Sequence, residues 1–175
     1  TDPITGEFYN RDPRSTAVKA EAYLKSTGIG DTINFGPEAE FFVFDDVRFS
    51  SDPYNTGFAL DSTELPVNSG TEYEAGNMGH RPRTKGGYFP VNPVDSGQDL
   101  RGEMLSVMKD MGLEVEKHHH EVATGGQGEI DLKYDSMLSM ADKVMKYKYV
   151  VKNVAQSWGK VATFMPKPIY NDNGT

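Results

Sequence analysis

The sequence predicts an α+β fold in which a largely antiparallel sheet is covered by helices on its outer side. Three observations carry this expectation. Residues 32–45 are dense in Phe and Val and read as strand. A Gly-rich turn at 124–128 joins two strand-like runs into a hairpin. The stretches 97–111 and 136–158 space their apolar residues as helices do.

Taken in order, residues 1–11 are polar and turn-rich and read as a linker, or as the tail of a preceding domain. Residues 12–175 then form one domain. A helix starts with Asp12 as N-cap and Pro13 at its first position, carries Ala17, Ala20 and Leu24 as apolar residues, and stops at Gly28. In the strand at 32–45 the pair Gly36-Pro37 marks a break or bulge. Residues 46–95 are too long for a structureless loop, so short strands are expected within them.

The helix at 97–111 opens with Ser96 and Asp99 in a capping-box arrangement. Leu100, Met104, Val107, Met108 and Met111 form its buried stripe, and Gly112 ends it. Strands at 113–123 and 129–134 flank the Gly-rich turn. The helix at 136–158 has Leu138, Ala141, Met145, Val151, Val154, Ala155 and Trp158 at apolar positions and closes at Gly159. A short strand at 162–165 follows, ended by Pro166-Lys167-Pro168.

The chain has 175 residues, 37% of them hydrophobic, with 9 Tyr, 9 Phe and 1 Trp, which argues for a folded core. Eighteen basic residues against 26 acidic ones leave a charge of -8 and no basic face for nucleic acid. Without cysteine, disulfides and thiolate metal sites are excluded, which fits cytoplasmic residence. No apolar run reaches 18 residues and no signal peptide is visible, so no membrane partner is expected.

Four carboxylates stand where a hard cation needs them. In a strand, Glu38 and Glu40 share a face, about 7 Å apart. Buried as bare anions they are costly, and a divalent cation would neutralise them; the plainer alternative is a wet sheet end. Glu121 lies four residues before Gly125 and Glu129 four after it, so a turn centred at Gly125 sets them face to face. Of His118, His119 and His120, only His119 shares the face of Glu121; the other two read as packed or hydrogen-bonded. A site rich in carboxylate and poor in His favours Mg²⁺ or Mn²⁺ over Zn²⁺. Such clusters commonly serve phosphoryl transfer, and no Walker-type loop is present.

These residues coincide with the signatures of type I glutamine synthetase. GPEAEFFVFDD at 36–46, GHRPRTKGGYFPVNPVDSGQDLR at 79–101, HHHEVATGGQGEID at 118–131 and KYVVKNVAQSWGKVATFMPKP at 148–168 resemble that family in the same order. The stretch around 50–80 resembles the β subdivision, the branch typically regulated by adenylylation. The resemblance implies a curved antiparallel sheet carrying the glutamates, in an incomplete catalytic domain.

It further implies that Glu40, Glu121 and Glu129 hold a first cation and that Glu38 is one ligand of a second. Glu116 and His119 would contact nucleotide or phosphate, and Tyr134 would lie at the adenine. Glu40, Asn173 and Gly174 would meet substrate glutamate. Asn171 and Thr175 depart from the pattern, where Gly and Ser are usual. The implied activity is ATP-dependent joining of ammonia to L-glutamate by a two-ring dodecamer with shared sites and an adenylylating regulator. The family's second-metal His, arginines, flap glutamate and adenylylated Tyr lie beyond Thr175, so the chain alone is expected to be inactive. A related ligase for another amine, such as a polyamine, and a non-catalytic metal- or nucleotide-binding relative are the alternatives.

Overall fold

A computed structural model describes residues 1–65 and 81–175. Its elements in chain order are α1 (Pro13–Thr27), β1 (Asn34–Phe35), β2 (Phe41–Phe44), β3 (Asp46–Asp52), β4 (Asn55–Asp61), α2 (Gln98–Asp110), β5 (Val115–His120), β6 (Gln127–Leu132), β7 (Asp135–Ser136), α3 (Met137–Ser157) and β8 (Val161–Thr163). They form two units: Thr1–Pro37 with Lys133–Tyr147, and Glu38–Leu132 with Lys148–Thr175. Gly79 and His80 of the central motif, and most of the stretch compared with the β subdivision, lie outside the described residues. Among the described residues no helix is long and apolar enough to cross a membrane.

In the first unit α1 has the caps its sequence announces. The Asp12 side chain accepts from the N–H groups of Arg14 and Ser15, and Gly28 takes the left-handed conformation that ends the helix. Ala17, Ala20 and Leu24 are only half-buried, and the buried residue is Ser15, whose hydroxyl bonds Asp12 at 2.8 Å. Arg14 forks onto Asp142 at 2.9 and 3.0 Å, and Glu21 accepts from the Leu138 N–H at 3.0 Å. β1 pairs antiparallel with β7, Asn34 opposite Ser136.

The second unit contains the four-stranded sheet, in the order β5-β6-β2-β8, every pair antiparallel. Phe41, Phe42 and Phe44 of β2 are buried, so both faces of this central strand are apolar, as the sequence implies. The strand is shorter than expected. Pro37 cannot donate to a ladder, and residues 36–40 form an irregular lead-in, so Glu38 and Glu40 precede β2 and are not within it. β3 and β4 pair over seven residues each around Pro53-Tyr54, supplying strands within 46–95.

α2 packs on β5 and β6 through Leu100, Met104 and Met108. The rest of its expected stripe differs: Val107 is half-buried and Met111 exposed, while Arg101 is buried and paired with Asp95. The capping box does not form. Gly97 occupies the N-cap without a side-chain bond, because the Ser96 hydroxyl and N–H both go to Glu64 Oε1, at 2.8 and 3.1 Å.

α3 contributes to both units. Met140 and Tyr147 are buried in the first, and Val150, Val151, Val154 and Ala155 in the second. Ala141, Met145 and Trp158, read as apolar positions, are exposed; Trp158 donates its indole N–H to Glu103 at 2.7 Å. A single stripe does not describe a helix whose surroundings change along its length.

Candidate metal centre

The hairpin of β5 and β6 sets the geometry. Its register pairs His119 with Glu129 and His120 with Gly128, so the turn centres one residue earlier than read from Gly125. Glu121 is therefore not opposite Glu129. It lies just beyond β5, with its N–H bonded to the Gln127 carbonyl at 2.8 Å. The tight return has a local cause: Gly126 takes φ 69, and a Cβ there would lie 2.5 Å from the Val43 carbonyl oxygen.

The diagonal arrangement still brings the groups together. His119, Glu121 and Glu129 each offer a ligand atom within 4.8 Å of the others. His119 Nδ1 is 3.2 Å from Glu121 Oε1, and its Nε2 is 3.5 Å from Glu129 Oε2. All three residues are buried. Burial, then Asp131 and Glu121, push the Glu129 carboxyl up to about 8. Its Oε1 is buried with no hydrogen-bond partner. An orphaned carboxylate oxygen among oxygen donors and one imidazole fits a hard divalent cation.

Glu40 is half-buried beside this group. Its Oε2 accepts from Gln127 Nε2 at 2.8 Å, and Gln127 Oε1 in turn accepts from the Ala123 N–H at 2.9 Å. Burial raises the Glu40 carboxyl, the Thr175 hydroxyl opposes this, and the charges of Glu121 and Glu38 add to the rise. Glu38 is exposed. Glu116 is exposed at an irregularity in β5, between Val115 and Lys117. Tyr134, 63% exposed, belongs to the first unit.

Asn173 and Gly174 are half-buried in the final loop. That loop is tied to the hairpin turn: the buried Asp172 carboxylate accepts from the Thr124 N–H at 3.0 Å and from its hydroxyl. Asn171 takes φ 64, a left-handed conformation that Asn tolerates better than most residues.

Several neighbours of the site were not legible. Asp131 Oδ2 lies 3.9 Å from His119 Nε2 and 3.4 Å from Lys117 Nζ; its two-residue spacing from Glu129 is the signal that would have found it. The Phe89 ring sits 4.6 Å from the His119 ring, and Tyr88 packs edge-on to Phe89. The Gly87 and Phe89 N–H groups bond the carbonyls of Val122 and His120 at 3.0 and 3.3 Å.

The family described as glutamine synthetase, catalytic domain, matches residues 10–175. The chain belongs to the glutamine synthetase catalytic-domain family. It is 67% identical over 174 residues to the glutamine synthetase of Rhizobium meliloti (strain 1021), covering 99% of this chain and 37% of that protein. It is 59% identical over 174 residues to the glutamine synthetase of Escherichia coli (strain K12), with the same coverage.

Among solved structures, Plasmodium falciparum glutamine synthetase aligns with TM-score 0.87 and 35% identity over 97% of this chain and 33% of its own. Ligand-free GmaS, at 24% identity and TM-score 0.68, shares the fold over 97% of this chain and 34% of its own. The chain thus spans about 37% of the length of the curated glutamine synthetases it matches.

Proposed function

We propose that this chain is part of an ATP-dependent ligase that joins ammonia to L-glutamate to give L-glutamine. The observation that carries the reading is the convergence of His119, Glu121 and Glu129 in a member of the glutamine synthetase catalytic-domain family. Glu40, Glu121 and Glu129 hold a first Mg²⁺ or Mn²⁺, and Glu38 contributes to a second. Bound cations supply charge neutralisation at the transferring phosphoryl group.

In this reading the side-chain carboxylate of glutamate attacks the γ-phosphorus of ATP, ADP leaves, and ammonia displaces phosphate from the γ-glutamyl phosphate. Asn173 and Gly174, with Glu40, bind glutamate. Glu116 and His119 contact nucleotide or phosphate, and Tyr134 lies against the adenine. A nucleotide role gains support from GmaS, solved as an ADP complex and similar to this chain at 25% identity and TM-score 0.62. The His119 ring is held against Phe89, with 4.6 Å between ring centres.

The finer reading extends to the β subdivision, an adenylylating regulator, cytoplasmic residence and a two-ring dodecamer with sites shared between subunits. Residues 1–11 act as a linker and 12–175 as part of the catalytic domain. The test is ATP-dependent glutamine formation by the intact gene product carrying this chain, with Mg²⁺ or Mn²⁺ and with ammonia or a polyamine as amine. Glutamine formed only with ammonia, ATP and a divalent cation is the expected result. Turnover with the polyamine alone, or none with any amine, overturns the reading.

A further inference from the structure

We infer that His120, clamped by Glu64, is a positioning residue for the cation site, fixing the backbone of Glu121 so that its carboxylate meets His119 and Glu129. The inference rests on the reading of Glu121 as a cation ligand. β5 ends at His120; Glu121, just beyond it, keeps a bond to the opposite strand through its N–H, to the Gln127 carbonyl at 2.8 Å. The Glu121 carbonyl meets His120 Nδ1 at 2.6 Å. A carbonyl oxygen only accepts, so Nδ1 carries the proton and donates. On the other side of the ring, Nε2 is 2.7 Å from Glu64 Oε2. The second Glu64 oxygen accepts from the Ser96 N–H and hydroxyl, at 3.1 and 2.8 Å.

The result is a continuous relay from the start of α2, through a carboxylate and an imidazole, to the peptide of Glu121. Glu64 is 4% exposed and His120 1%, so neither ring nor carboxylate is free to turn toward water. Carboxylate–imidazole pairs commonly orient metal ligands from behind. Here the pair acts through the main chain, since His120 faces away from the face shared by His119 and Glu121. The plainer alternative is a buried pair that only stabilises the fold. The two differ in one respect: a stabilising pair leaves cation affinity unchanged in variants that remain folded.

The test is Mn²⁺ titration by calorimetry of the intact gene product carrying this chain, in wild type, Glu64→Ala, Glu64→Gln, Ser96→Ala and Glu129→Gln. Circular dichroism and melting of the metal-free proteins report folding. Glu64→Ala should weaken Mn²⁺ binding by about 10–100-fold. Glu64→Gln, which can still accept from Ser96 and donate to His120 Nε2, should bind like wild type. Ser96→Ala, an exposed position, should weaken binding in the same direction but less, without a change in melting temperature.

Folded Glu64→Ala with wild-type affinity, or Glu64→Gln as weak as Glu64→Ala, overturns the positioning role. If Glu64→Ala does not fold, Ser96→Ala with undiminished affinity overturns it. Wild type that binds no Mn²⁺, or Glu129→Gln that binds it normally, overturns the cation reading and this inference with it.

Discussion

His119 stands directly across the hairpin from Glu129, its Nε2 3.5 Å from Oε2, while its Nδ1 reaches back to Glu121 at 3.2 Å. One imidazole thus spans two buried carboxylates. A divalent ion entering there replaces a compromise with a full counter-charge.

Glu129→Gln is therefore expected to weaken Mn²⁺ binding at least about tenfold, or ~1.4 kcal/mol. The metal-free protein should melt no lower than wild type, because the amide removes a buried acid whose ionisation is disfavoured. Calorimetry and a melting curve check both halves. Unchanged Mn²⁺ titration together with unchanged activity would sink the assignment.

Asp135 gives a pH signature in the first unit. Lys143 at 2.8 Å, then Ser139 and the Ser136 N–H, hold its carboxyl well below the usual carboxylate range. A depressed folded value means the stabilisation is present above the unfolded value, 3.8, and fades as pH falls below it. Asp135→Asn should lower stability at neutral pH, and its curve should converge with wild type in acid. Urea unfolding from pH 6 to about 2 measures this; parallel curves throughout would refute it.

Tyr134 is open to a ligand, being 63% exposed. Under the proposed function Tyr134→Ala should weaken ATP binding by about 1–3 kcal/mol, on the scale of base–aromatic stacking. Tyr134→Phe should change little. Wild-type ATP affinity in both variants would leave the ring without a part in nucleotide binding.

Gly28 and Gly126 share a left-handed backbone, but only the second is crowded. Gly28→Ala meets nothing within 4 Å and should cost about 1–2 kcal/mol from backbone strain alone. Gly126→Ala adds a collision with the Val43 carbonyl and should cost clearly more. Denaturant unfolding of the two variants isolates the steric part, and equal losses would show that the turn relaxes freely.

Much of the architecture was legible because it follows from local chemistry. Asp12, Pro13 and Gly28 bound α1, and the Phe-rich run became the central strand. Register was harder. Turn composition located the hairpin but not its centre, because the positive φ of Gly126 and the Gln127 side chain decide where pairing resumes. Long-range partners left no sequence signal: the Glu64–His120 contact joins residues 56 apart, and Ser96, read as a cap, is taken by that carboxylate. The acids of the site were identifiable as types at sensible spacing; the diagonal by which Glu121 reaches Glu129 was not.

Gln127 has a consequence for how the chain finds its native pairing. Its buried amide spans Glu40, ahead of β2, and the Ala123 N–H across the turn. A slip of one residue between β2 and β6 would turn this side chain to the opposite face and separate its amide from Glu40. A misaligned sheet thus forfeits the contact that holds the Glu40 carboxylate. Strand alignment and the placing of the Glu40 carboxylate depend on the same side chain.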